Sequence, residues 1–315
     1  MKQLSREAQT NAKAFIRQYA RPLEQRIYAY LFEDGEKDAI FEVLAAFQNP
    51  DGGFGNALEP DLRLPDSSVL ATTVGLQVLR EFDAPADHPL VRGALRYLLQ
   101  TYNPVAEVWP ITPPNTDEAP HAPWWTYGED VVTMWDGYLV NPRVEIAGYL
   151  VNYAPSGLPA WVLQRLIDAV VAYPSEHPDK FGMFDLLCYD RLIKTRALPE
   201  DTRDVLIDKL TPLVDQLVVK DPAEWEKYNL MPLELVDAPD SPFAAVLGDV
   251  VAQNLDFEID HQHADGSWKP KWTWGPLYPD VWGQAKQEWS GVITLRTLKT
   301  LRNFGRLVYN EGART

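Results

Sequence analysis

Apolar residues recur at intervals of three and four along nearly the whole chain, the spacing of one buried face of an α-helix. The clearest runs are Ile40-Val43-Leu44-Phe47, Val69-Thr72-Leu76-Leu79, Leu90-Ala94-Tyr97-Leu98, Val144-Ala147-Leu150-Val151, Val162-Leu166-Ala169-Val170 and Phe184-Leu187-Leu192. Three more follow: Val205-Leu206-Leu210-Leu213-Leu217, Phe243-Val246-Val250-Val251 and Val292-Leu295-Leu298-Leu301. Strand-like alternation is rare. The pattern predicts an all-α protein of about eleven to twelve helices, with 1–315 as a single domain.

Two kinds of link separate the runs. Short ones span 83–89, 153–159 and 194–200; long ones, rich in Pro, Gly and Trp, span 49–67, 102–141 and 263–286. In an antiparallel series of helices, alternate links lie at opposite ends. The long links are therefore expected on one face, where sites are commonly built on a rigid scaffold.

Composition narrows the function classes. Acids outnumber bases 45 to 29, a net charge of −16, which argues against binding nucleic acid or anionic membranes. No apolar run reaches the ~18 residues of a membrane span. The opening Met1-Lys2-Gln3-Leu4-Ser5-Arg6-Glu7 has no apolar core of a secretory signal, so a cytoplasmic location is expected. The one cysteine, Cys188, excludes an internal disulfide and a Cys-cluster zinc site. His261 and His263 stand two apart without further evident ligands, so no metal and no cofactor is expected. Gly-x-x-x-x-Gly-Lys-Ser/Thr, Gly-x-Gly-x-x-Gly and Gly-x-Ser-x-Gly are all missing from the sequence, which removes phosphate-cradle sites and nucleophile elbows.

An internal repeat closes two of the helical runs. Gln48-Asn49-Pro50-Asp51-Gly52-Gly53-Phe54-Gly55 and Gln262-His263-Ala264-Asp265-Gly266-Ser267-Trp268 share Gln, a spacer, Asp-Gly, a small residue and an aromatic. A degenerate third copy runs from Gln100-Thr101-Tyr102-Asn103 to Trp109-Pro110. Physically this reads as a helix end, a glycine free to take positive φ, and an aromatic plug between helices. The glutamine is expected to bond the orphan carbonyls of that end.

The repeat resembles the QW motif of squalene and oxidosqualene cyclases, class II diterpene cyclases and the β-subunits of protein prenyltransferases. The resemblance covers the helix order over most of the chain and is specific at 48–55 and 262–268. It implies an α/α toroid, paired antiparallel helices around a central cavity. The family's chemical motifs are largely missing: there is no Asp-x-Asp-Asp and no Asp-Asp-x-x-Asp. The only cysteine lies in Asp185-Leu186-Leu187-Cys188, one residue longer than the Asp-x-Cys zinc pattern. Cys188 sits among apolar residues and reads as a buried structural thiol.

Four segments hold candidate chemistry. In Glu59-Pro60-Asp61-Leu62-Arg63, Glu59 and Asp61 form a carboxylate pair with Arg63 to orient one of them; Asp66 or Ser67 is the expected cap of the next helix. The link 103–141 holds Glu107, Asp117, Glu118, Glu129, Asp130 and Asp136, no Lys or Arg, and four tryptophans, Trp109, Trp124, Trp125 and Trp135. Glu118 and His121 are its catalytic candidates, and Trp109, Trp124 and Trp125 its substrate-binding candidates. The link 263–286 adds Trp268, Trp272, Trp274 and Trp282, with Trp272 and Trp274 as binding candidates. Eight of the eleven tryptophans thus fall in two links, which suits an aromatic-lined pocket. Asp185, entering a helix after Phe181-Gly182-Met183-Phe184, is either an acid facing a cavity or a partner of the helix dipole.

Three functions fit these residues, all with a small-molecule ligand. The resemblance implies a cyclase or isomerase acting on a neutral isoprenoid by acid-initiated carbocation chemistry, with aromatic faces stabilising the cation. The alternative is a carbohydrate-active enzyme, a hydrolase, lyase or epimerase, with Glu59 or Asp61 opposed to Glu118 or Asp185. The third is a non-catalytic ligand-binding toroid, whose carboxyls would keep ordinary pKa values.

Overall fold

A computed structural model of the chain describes residues 1–308. Among the described residues there are fourteen α-helices and no strand beyond isolated bridges, so the protein is all-α as expected. In chain order the helices are α1 (Arg6–Tyr19), α2 (Pro22–Phe32), α3 (Asp38–Leu44), α4 (Val69–Glu81), α5 (Pro89–Thr101), α6 (Glu129–Met134), α7 (Arg143–Tyr153), α8 (Ala160–Glu176), α9 (Met183–Ile193), α10 (Glu200–Leu217), α11 (Pro232–Leu235), α12 (Ala244–Leu247), α13 (Asp249–Asp260) and α14 (Pro279–Asn303). Eleven have seven residues or more; α6, α11 and α12 are the short ones. No described helix is long and apolar enough to cross a membrane.

Local chemistry moves several expected boundaries. The apolar run 243–251 breaks at Gly248, whose φ of +49° ends α12 and starts α13. The link after His263 stops at Tyr278, because Pro279 opens α14 and proline's fixed φ suits the first helical position. The link 102–141 is not bare: it holds α6 and 3-10 turns at Thr116–Glu118, Pro123–Trp125 and Asp136–Tyr138. The cap of α4 is Ser68, neither Asp66 nor Ser67; its Oγ accepts from Ala71 N at 2.9 Å, while Ser67 Oγ donates to Asp51 Oδ1 at 2.8 Å.

The described chain packs as two compact units. The first comprises residues 1–40, 215–275 and the chain from 279. Here α1 lies against α14 and α2 and buries Ala12, Phe15 and Ile16. Leu4 N donates to Arg306 O at 2.7 Å in a parallel bridge between Leu4 and Leu307. Arg306 Nη1 donates to Lys2 O at 2.9 Å and to Asp256 at 2.5 Å.

The second unit comprises 41–214 with 276–278. Its α4 pairs with α5, and α7 packs on α8 and most extensively on α9. Between α4, α7 and α9 lies a buried polar network centred on Glu145, which is 2% exposed. Gln77 Nε2 (2.8 Å) and the Tyr149 hydroxyl donate to its Oε1, and Arg191 Nη1 donates to its Oε2 at 2.9 Å. Arg80 donates to Arg191 O (2.8 Å) and Thr195 Oγ1 (3.1 Å) and places its guanidinium over the Tyr149 ring.

Each unit contains one of the glutamine turns, and the two are built alike. In the second unit Gln48 Nε2 donates to Gly52 O and Leu90 O, both at 2.9 Å. Asp51 Oδ1 accepts from Gly53 N at 2.9 Å, and Phe54 N donates to Thr72 Oγ1 on α4 at 3.0 Å. In the first unit Gln262 Nε2 donates to Gly266 O and Ala8 O, both at 2.9 Å. Asp265 Oδ1 accepts from Ser267 N at 3.1 Å, and Trp268 N donates to Thr294 Oγ1 on α14 at 3.0 Å. Gly52 and Gly266 have φ of +97° and +87°. A Cβ at either would meet another helix's backbone, Gly93 O at 2.4 Å or Asn11 C at 2.3 Å, so glycine is required twice over.

The glutamine's role differs from the expected one. It ties the turn to the first turn of another helix, α5 or α1, rather than to carbonyls of its own helix end. Those carbonyls are served by indoles: Trp268 Nε1 donates to Glu258 O at 2.9 Å, and Trp109 Nε1 to Leu98 O at 2.6 Å. Phe54 has no such donor; its ring fills the space above Gly75, where a Cβ would approach it to 2.8 Å. Burying such a ring contributes about 1.5–3 kcal/mol.

Candidate functional site

In the second unit the segment 61–63 pairs with 120–122. Arg63 N donates to Pro120 O at 2.9 Å, Ala122 N donates to Asp61 O at 2.8 Å, and Leu62 faces His121 in an antiparallel bridge. This brings two sequence candidates, Asp61 and His121, side by side on the backbone. Glu59 lies one turn away, with Leu62 N donating to its carbonyl at 3.1 Å. Glu59, Asp61 and His121 are buried, at 6%, 3% and 2% exposure. His121 has both ring nitrogens engaged: Nδ1 meets Ala119 O at 2.7 Å and Nε2 meets Thr126 Oγ1 at 3.2 Å. The short Nδ1 contact fixes the proton there, since a carbonyl can only accept. Glu118 is exposed on its 3-10 turn, apart from this buried ladder.

A second cluster assembles around the start of α9. Trp125 and Trp135 stack at 5.3 Å between centroids, and Trp135 meets Phe184 edge-on at 5.2 Å. Asp185 follows Phe184 and closes the first turn of α9: Gly182 N donates to its Oδ2 at 2.8 Å. Asp185 is thus a first-turn partner of its helix start, and burial pushes its carboxyl up to about 6. The Gly182 bond opposes that shift and the Asp136 charge adds to it.

Asp136 is the opposite case. Partial burial works to raise it, but hydrogen bonds from Lys180 Nζ (2.8 Å) and the Tyr173 hydroxyl, with the Lys180 charge, hold its carboxyl below the usual range. Its backbone is strained. Asp136, Gly137 and Tyr138 have φ of +43°, +65° and +65°, three successive left-handed residues of which only one is glycine. Each non-glycine costs roughly 1–2 kcal/mol there, a kind of strain that gathers at functional sites. Tyr173 and Tyr189 feel the charge of Asp185, and both also feel the buried Arg143.

The remaining aromatic candidates are packed. Trp109 is 2% exposed and closes a helix end; Trp125 is 6% and Trp274 0% exposed. Trp124 and Trp272 are half-buried. In the first unit Trp272 sits between Tyr228 and Trp289, and Trp274 against Trp282. Cys188 is a buried free thiol, as the sequence suggested, with burial pushing its pKa up. Among the described residues no group of three or more His, Cys, Asp or Glu is placed to hold a metal ion.

Sequence reasoning missed Arg143, Tyr173, Lys180 and Tyr189, and gave Asp136 no role. Asp136-Gly137 inside a tryptophan-rich link was the only available signal, a dipeptide suited to left-handed backbone. Comparison of the chain with protein-family models, curated proteins and solved structures returns no match.

Proposed function

We propose that the second unit carries a general-acid site for a carbohydrate, with Asp185 as proton donor and Asp136 as its ionised partner. One observation carries this reading: two neighbouring carboxyls are pushed in opposite directions, Asp185 up to about 6 and Asp136 down. Such divergence assigns acid and base roles. Phe184 precedes the acid on α9 and meets Trp135 edge-on, and such rings suit the apolar face of a sugar. A carboxyl with a raised pKa is a weak acid, matched to a glycosidic oxygen near neutral pH rather than to an alkene carbon. The test is reducing-sugar release from a glycan panel across pH. Wild type is expected to lose kcat/KM as pH rises through about 6, and Asp185→Asn, which keeps an oxygen for Gly182 N, to lose about 100-fold or more. An Asp185→Asn enzyme with unchanged rate and pH profile overturns the reading.

The second reading is acid-initiated chemistry on a neutral isoprenoid. It is favoured by the Trp125–Trp135–Phe184 trio, which offers π-faces to a cation, and by the two glutamine turns that resemble QW repeats. The α/α-toroid arrangement implied by that resemblance draws support from the same turns, since α14 with α1 repeats in its unit what α4 with α5 does in the other. Product analysis by gas chromatography after incubation with neutral polyprenes tests it. Both readings keep a small-molecule ligand, and the single free thiol suits the expected cytoplasmic location.

A further inference from the structure

Arg143, the first residue of α7, is 6% exposed. Its Nε is enclosed with no hydrogen-bond partner, and among the described residues it forms no salt bridge. The groups that feel its charge are Tyr189, Glu107, Tyr102 and Tyr173. Glu107 is already held by Arg165, the Tyr173 hydroxyl by Asp136, and the Tyr189 hydroxyl by Val170 O at 2.8 Å. Two more enclosed donors without acceptors, Trp125 Nε1 and Trp135 Nε1, come from the same stretch of chain. Buried cations are normally paired, and two of the three phenols around this one are already engaged.

We propose that Arg143 is a ligand-binding residue that receives a carboxylate of the molecule bound in this unit. A carboxylate matches the planar guanidinium in charge and in bidentate geometry. A dianionic phosphate fits less well, because Glu107 already places negative charge near this single guanidinium. The inference stands on Arg143 and its neighbours and does not require the acid chemistry of Asp185. If both hold, the substrate is an acidic sugar.

The test is calorimetric titration of the full chain with glucuronate, glucose, benzoate and inorganic phosphate, repeated for Arg143→Met and for the control Arg196→Gln, an exposed arginine paired with Asp83. The expected result is that glucuronate binds about tenfold or more tightly than glucose and more tightly than phosphate, and that Arg143→Met erases the preference while Arg196→Gln keeps it. Benzoate bound through Arg143 with no sugar bound supports the carboxylate site and counts against the carbohydrate reading. Equal binding of glucuronate and glucose, a preference for phosphate, no binding of either carboxylate, or a preference that survives Arg143→Met overturns the proposal. A thermal melt guards against misfolding: without ligand, Arg143→Met is expected to melt no lower than wild type, because it removes a buried unpaired charge. A Tm several degrees lower means a structural role and also overturns it.

Discussion

Helices α7 and α9 treat their charges in two opposite ways. At Glu145 and Arg191 each charge has its counterpart, and Gln77 and Tyr149 donate to the same carboxylate. In the first turn of each helix the charges stand apart: Arg143 is buried with its Nε unpaired, and the half-buried Asp185 accepts, among the described residues, only from Gly182 N. The first arrangement is what a folded chain does with polar groups it must enclose. The second leaves the fold less stable than it need be, a pattern expected where selection acts on binding rather than on stability.

The contrast breaks most easily at its satisfied end. Glu145→Ala strips the half-buried Arg191 of its carboxylate and leaves Gln77 and Tyr149 without their shared acceptor, and urea unfolding is expected to show a loss of about 3 kcal/mol. A loss below 1 kcal/mol would make the two regions energetically alike and dissolve the comparison.

Asp185→Asn is expected to act with the opposite sign. The folded pKa is raised, so the folded state holds its proton more tightly than the unfolded chain, whose carboxyl titrates at 3.8. Below that value Asp185 brings no penalty. As pH rises from 3.8 to about 6 the penalty grows, and above it the penalty is constant. The gain from Asp185→Asn should therefore be absent at pH 3.5 and reach about 3 kcal/mol at pH 7. Paired melts of the two proteins across pH would show it; a gain independent of pH would mean that the carboxyl is not desolvated.

Smaller effects sharpen the picture with one reagent in two places. Trp109→Phe removes an indole that serves Leu98 O and is expected to lose about 1–2 kcal/mol. Trp135→Phe removes an indole donor that has no acceptor, and the expected change is under about 0.5 kcal/mol. Equal losses at the two positions would show that Trp135 has a partner in solution.

The sequence and the structure agree where a pattern is local. Helical spacing located the long helices, because every third or fourth residue must face the same core. The turns at 48–54 and 262–268 were legible because Asp-Gly and the aromatic lie within a few residues of each other. Thr72 and Thr294, which accept from the aromatic's backbone, were not, since a threonine inside an apolar run reads as one more core residue. Asp185 was legible from its place beside a helix start. Tyr173 and Tyr189 feel its charge from α8 and α9, and Arg143 feels those two phenols from α7; no spacing links residues whose only relation is three-dimensional. The sign of each pKa shift was equally out of reach, because burial and partners decide it.

The bridge between Leu4 and Leu307 has a consequence in time. A ribosome adding about 5–20 residues per second delivers α1 long before α14, on the order of ten seconds or more. Throughout that interval Phe15 and Ile16 have no α14 to cover them, while residues 41–214, nearly the whole of the second unit, have already emerged in one piece. The first unit is thus divided in sequence on either side of the second and is completed only when α14 arrives to meet α1. Nascent chains halted before residue 279 are the ones in which α1 should be found bound by chaperones.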